Sequence, residues 1–280
     1  MRRPMVAAVV ALVVGLAGLP AGGAAPRDLL DEVLARGFLF VSTDPNYAPQ
    51  SFINARGEMD GFDVDVAKEV ARRLGVRVQF VTPAWEAIVS GRWGGRWDVS
   101  IGSMTITEDR QKVLHFTPPY YFTPAQFAVH KANTRFRAVT DLAGRRVGVC
   151  GGCTYELYLR GTLRLVGETV EFKVRNAVIR TYETDADAIQ DLALGDGVRL
   201  DAVLSALPTL VFAIKRGVPI RLLGDPVYYE HLAFAVDRHS LRDPTRFVQR
   251  LGEIVRAMHA DGTLTRLSLK WYGVDLTKKK

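Results

Sequence analysis

Apolar residues change period repeatedly along this chain, passing between short runs and stripes spaced three and four apart. A run over 38–42 predicts a strand. From Asp63 to Leu74, Val64, Ala67, Val70, Ala71 and Leu74 share one helical face, and Gly75 supplies the stop. Val76, Val78 and Phe80 alternate with Arg77 and Gln79 as in a half-buried strand, a short helix is expected over 85–90, and 98–102 has the pattern of another strand. A second series begins near Asp141: a strand over 146–149, a glycine-rich turn, a helix from Thr154, a helix over 185–194 capped by Thr184, and a strand over 200–205. After Ala233 helices take over. The longest is expected to use Asp243 as its cap and Pro244 as its first residue, with Phe247, Val248, Leu251, Ile254, Val255 and Met258 on one face and Gly262 at its end. This alternation predicts an α/β protein with largely parallel sheets.

The length, 280 residues, permits one large domain or two small ones, and 48% hydrophobic against 24% charged residues is enough for a core in each of two lobes. The N-terminus stands apart. Arg2 and Arg3 precede an apolar run from Met5 to Leu19, and small residues follow at 21–25. That is the order of a secretory signal peptide, expected over 1–25 with cleavage near Ala25. The run is shorter than the ~20 apolar residues that cross a bilayer, and Gly15, Gly18 and Pro20 interrupt it. Removal of the signal lowers the formal net charge of +7 by two arginines. The remaining lysines and arginines are spread among acids rather than gathered on one element with aromatics, which argues against nucleic-acid binding. Neither cysteine, Cys150 nor Cys153, lies near the signal, so no lipid-bearing cysteine is expected, and the mature chain should be exported and free in the periplasm or at the extracytoplasmic face.

Several motifs then occur in a telling order. Gly61-Phe62-Asp63-Val64-Asp65-Val66-Ala67 lies between Asp44-Pro45-Asn46-Tyr47-Ala48-Pro49 and Gly102-Ser103-Met104-Thr105-Ile106-Thr107-Glu108-Asp109-Arg110. Phe116-Thr117-Pro118-Pro119-Tyr120-Tyr121, Gly148-Val149-Cys150-Gly151-Gly152-Cys153-Thr154 and Asp261-Gly262-Thr263 follow. In these the chain resembles the bacterial extracellular solute-binding proteins of the polar amino-acid type, family 3 of the ABC-transporter substrate-binding proteins. The resemblance implies the two-lobed periplasmic-binding-protein type II fold, the Venus flytrap, with ligand in a cleft that closes by hinge motion. Lobe one would comprise 26–121 and 233–280, and lobe two 122–232.

The same resemblance proposes a site. Arg110 would hold a carboxylate through its planar fork. Thr105 would add a hydroxyl, Ser103 a backbone or hydroxyl contact, and Gly102 a carbonyl for an ammonium group. From lobe two, Cys153 and Thr154 would meet the carboxylate where the glycine-rich turn opens a helix. Tyr47 and Trp85 would wall the pocket with aromatic faces. Asp44 either caps a turn or receives a distal positive charge. Two departures bear on the ligand: many relatives carry an aspartate where this chain has Ala206, so the partner of an α-ammonium is not evident, and Gln50 replaces a common aromatic, which should make the cleft more polar. Cys150 and Cys153 can form a disulfide that stiffens the loop, remain free thiols, or act as a thioredoxin-like pair; export favours the disulfide. No histidine is spaced to complete a metal site with them, and neither metal nor cofactor is expected.

The function so implied is that of an ABC importer's solute-binding protein, taking an amino acid or related small carboxylate and handing it to the transporter's membrane subunits, as a monomer. Two alternatives share the fold: a cyclohexadienyl (arogenate or prephenate) dehydratase-like enzyme, and a ligand-binding partner of a sensor. No Ser/His/Asp, Cys/His or paired-carboxylate constellation marks catalytic residues.

Overall fold

A computed structural model describes residues 28–279; the proposed signal peptide lies outside them. The first elements are α1 (Leu29–Arg36), β1 (Phe38–Ser42), a small antiparallel sheet of β2 (Asn46–Tyr47), β3 (Ser51–Ile53) and β4 (Met59–Asp60), and α2 (Phe62–Leu74). β5 (Arg77–Val81), α3 (Trp85–Val89), β6 (Val99–Thr105) and β7 (Leu114–Phe116) follow. β8 (Tyr121–His130) leads to β9 (Arg146–Cys150), α4 (Thr154–Leu159), β10 (Val178–Tyr182), α5 (Asp185–Ala193), β11 (Ala202–Ala206) and α6 (Leu207–Lys215). The chain returns through β12 (Ile220–Asp237) and ends in α7 (Thr245–Ala260) and α8 (Thr263–Tyr272).

Local chemistry accounts for the boundaries. The Asp28 carboxylate accepts from Asp31 N at 2.9 Å and caps α1, and Gly37 and Gly75 end α1 and α2 in the left-handed conformation. Gly61 is required before α2: its φ is 125°, and a Cβ there would lie 2.4 Å from the Gln50 carbonyl oxygen. The expected cap of α7 is corrected by one position. Pro244 is the cap residue, while the Asp243 carboxylate reaches in from outside to accept from the backbone N–H and hydroxyl of Thr245.

The main sheet has the order β10-β9-β11-β8-β12-β6-β1-β5, with β7 attached to β12. Its wings are parallel, as expected, but its middle is not: β8 runs antiparallel to β11 and β12, and β12 antiparallel to β6. This corrects the expectation of largely parallel sheets. A chain that crosses into a second lobe and returns must run both ways through the centre. β8 places Tyr121 in one hydrophobic core and Ala125, Phe127 and Val129 in another; β12 places Val227 and Tyr228 in the second core and Leu232, Phe234 and Val236 back in the first. The fold is thus two lobes joined by two antiparallel strands, and β12 shifts register twice on its way across, between Leu223 and Tyr228 and between Ala233 and Ala235.

Candidate functional site

A cleft between the lobes is lined by Asp44, Tyr47, Trp85, Gly102, Ser103, Thr105 and Arg110 on one side and by Cys150, Cys153, Thr154, Tyr155 and Asp185 on the other, with Glu230 of β12 at its base. Every residue singled out from the sequence except Gln50 therefore reaches one cavity. Their polar atoms are disposed differently from one another, and that decides what each can do.

Arg110 follows β6 in a short turn and is 6% exposed. Its guanidinium donates to the Thr105 carbonyl at 3.1 Å and, across the cleft, to the Gly152 carbonyl at 3.2 Å, while stacking 5.1 Å from the Trp85 ring centroid. Burial lowers its pKa to about 10, so it stays cationic at neutral pH, with N–H groups left for an anion. Gly152 has φ 68°, and a Cβ there would meet Trp85 at 3.7 Å, so the glycine-rich turn lies against the lobe-one indole.

Ser103 is turned away from the role expected of its hydroxyl. It has φ 56°, its N–H donates to the Tyr120 hydroxyl, and its own hydroxyl bonds Asp63 and Tyr121 behind the cleft wall. Gln50 is corrected outright: it is fully buried, does not line the cleft, and donates to the Thr209 hydroxyl at 2.9 Å, tying lobe to lobe. Tyr47 also spans the gap, its hydroxyl 3.2 Å from that of Tyr155. The Asp44 carboxylate accepts from Asn46 N at 2.7 Å, the turn-capping bond, and also lines the cavity.

Two acids that sequence reasoning passed over sit in the cleft. Glu230 is 3% exposed, and its carboxylate accepts from the hydroxyls of Thr105, Thr154, Thr123 and Tyr155. In this arrangement the Thr105 and Thr154 hydroxyls, expected to face an anion, point their protons at Glu230. Asp185, the first residue of α5, is 6% exposed, and its Oδ1 has no hydrogen-bond partner among the described residues. Burial pushes its carboxyl up to about 7; the Ser205 hydroxyl opposes this, and repulsion from Asp44 and Glu230 adds to it. The cysteines are joined, Cys150 to Cys153, with Cα atoms 5.5 Å apart. Their sulfurs and an Asp185 oxygen lie within 4.8 Å of one another, but sulfurs bonded to each other are not thiolate ligands, so this cluster does not suit a metal.

Against this geometry, the family model of the bacterial extracellular solute-binding proteins, family 3, matches residues 39–274. The chain belongs to that family. The L-cystine-binding protein TcyJ of Escherichia coli (strain K12) is 32% identical over 265 residues, 94% of this chain and 93% of the relative. The histidine-binding periplasmic protein of Salmonella typhimurium is 28% identical over 240 residues, 84% and 88% of the two chains. Among solved structures, an ancestral amino acid-binding protein described as a precursor of cyclohexadienyl dehydratase superposes with a TM-score of 0.75 at 31% identity, covering 87% of this chain and 99% of that one.

The two-lobed fold is that of the family, the periplasmic-binding-protein type II fold, and this family 3 member is a solute-binding protein rather than an enzyme. Amino-acid ligands and association with ABC transporters are typical of the family. Among the described residues no helix is long and apolar enough to cross a membrane.

Proposed function

We propose that this family 3 protein captures an amino acid in the interlobe cleft and presents it, closed, to the membrane subunits of an ABC importer. The observation that carries this reading is Arg110, a buried guanidinium at the cleft that contacts both lobes and keeps donors for a carboxylate. Tyr47 and Trp85 cover the ligand's side chain, while Thr105 and Thr154 surrender their Glu230 bonds to it on closure. Ligand that contacts both walls favours the closed state, and only that difference in affinity can drive closure. The lobes divide at 121–122 and 232–233, on the two strands β8 and β12 that connect the cores. The chain is exported by a signal peptide at 1–25, carries the Cys150–Cys153 disulfide once outside, and works as a monomer without nucleic acid.

Thermal-shift measurement on mature protein, unfolded and refolded to strip bound ligand, tests the reading. A ligand at ~100-fold its dissociation constant adds about 2.7 kcal/mol, so one or a few amino acids should raise the midpoint clearly. A flat response to all of them removes the proposed function.

A further inference from the structure

The cleft is unbalanced in charge. Asp44, Asp185 and Glu230 line it against one guanidinium, that of Arg110. The three acids are not equivalent. Glu230 is saturated by hydroxyls from four side chains, and Asp44 holds its own turn through Asn46 N. Asp185 alone of the three is nine-tenths buried with an unpartnered oxygen, and it makes no ion pair among the described residues. A buried carboxylate without a partner costs several kcal/mol or gives up its charge. A fold does not gain from such a group, but a ligand cation that arrives with a matching charge does.

Its position suits that use. α5 packs against β2 across the cleft, so its first residue faces the segment that carries Asp44 and Tyr47. The neighbouring strand β11 ends at Ala206, fully buried and offering only a methyl group, while the unpartnered hydroxyl of Ser205 lies beside the Asp185 carboxyl. The acid absent from 206 thus has a substitute one element away, brought there by α5 instead of β11. We infer that Asp185 receives the ligand's α-ammonium group in the closed cleft, completing from lobe two the recognition that Arg110 begins at the carboxylate. This rests on the amino-acid-binding reading above and adds to it the residue that makes the pocket demand a zwitterion rather than a bare carboxylate.

Isothermal calorimetry on stripped wild-type protein and Asp185→Asn, with L-arginine, L-lysine, L-histidine, L-glutamine, L-cystine and succinate as probes, tests the inference. Asp185→Asn keeps the shape and removes the charge, and its ligand-free thermal midpoint should equal or exceed that of wild type, which separates lost recognition from lost folding. Affinity should fall at least ~10-fold for every amino acid that wild type binds, charged side chain or not, because each carries the same ammonium. A variant within twofold of wild type overturns the inference while binding stands. So does a loss confined to arginine and lysine, which would place Asp185 at the side chain, and so does a wild-type preference for succinate. Failure of wild type to bind any of the amino acids overturns both the inference and the reading beneath it.

Discussion

Each lobe buries one aspartate beside the cleft, and the two have been treated in opposite ways. Asp63, in the first turn of α2, is fully buried, and its oxygens accept from the hydroxyls of Ser103 and Tyr120, both at 2.6 Å. Asp185, in the first turn of α5, is nearly as buried and is left with an unpartnered oxygen. Burial pushes both carboxyls up to about 7, in Asp63 against the hydroxyls of Ser103 and Tyr120, in Asp185 against that of Ser205 alone; Asp44 adds to the rise in both and Glu230 to that of Asp185. The comparison teaches how to sort buried acids in a binding protein: one wrapped in its own chain's donors holds the wall, and one left short of them waits for a donor from outside.

The largest expected effect tests the wrapped acid. Asp63→Ala strands the Ser103 and Tyr120 hydroxyls and should lower unfolding free energy by ~3 kcal/mol, measured by urea titration; a change under ~0.5 kcal/mol would erase the contrast. Next, Arg110→Ala should weaken amino-acid binding by ~100-fold or more in calorimetry while leaving the urea midpoint near wild type, since its bonds run to the carbonyls of Thr105, at the end of β6, and Gly152, in the glycine-rich turn, rather than into a core. Retained affinity would move the anion site elsewhere.

A smaller effect, in pH, sharpens the contrast. In the folded, ligand-free protein the Asp185 carboxyl, faced by Asp44, Glu230 and the hydroxyls of Ser205, Tyr47 and Tyr155, keeps its proton to about 7 rather than 3.8. Between those values the folded state binds more protons than the unfolded state, so this group's contribution to stability falls as pH rises. Asp185→Asn removes that slope, whereas Asp63 contributes equally to both proteins and cancels. The stability advantage of Asp185→Asn over wild type should therefore grow from pH 4 to pH 7 and then level; a constant difference would show that Asp185 is ionised throughout. The smallest effect is expected of Trp85→Ala, which should reorder ligand preference by a fewfold without changing the fold, read from the ranking of amino acids in the same calorimetry. An unaltered ranking would leave the indole with no part beyond stacking on Arg110.

Much of this was legible in the sequence, for physical reasons that also set its limits. Helices α2, α3, α4, α5 and α7 and wing strands β1, β5, β6, β9 and β11 follow from apolar period and turn signals, whereas α1, α6, α8 and β10 were not read; the lobe-one wall follows from the family motif, which sets Gly102, Ser103, Thr105 and Arg110 on one strand and the turn after it. Glu230 was not legible: it meets Thr105 from 125 residues away and Thr154 from 76, and on a strand with alternating exposure an acid looks like a solvated one. Asp185 was read only as the start of a capped helix, which any acid favoured by the helix dipole would satisfy. Gln50 was assigned to the cleft because its partner, Thr209, is 159 positions distant. The antiparallel centre escaped for a related reason, since strand direction depends on where the chain goes between lobes and not on its local period.

β12 carries Glu230 at the crossing between the cores, and hydroxyls of both walls reach that one carboxylate. Thr105 comes to it from lobe one, Thr154 and Tyr155 from lobe two. Glu230 therefore ties both walls of the cleft to a single carboxylate, carried on one of the two strands that join the lobes.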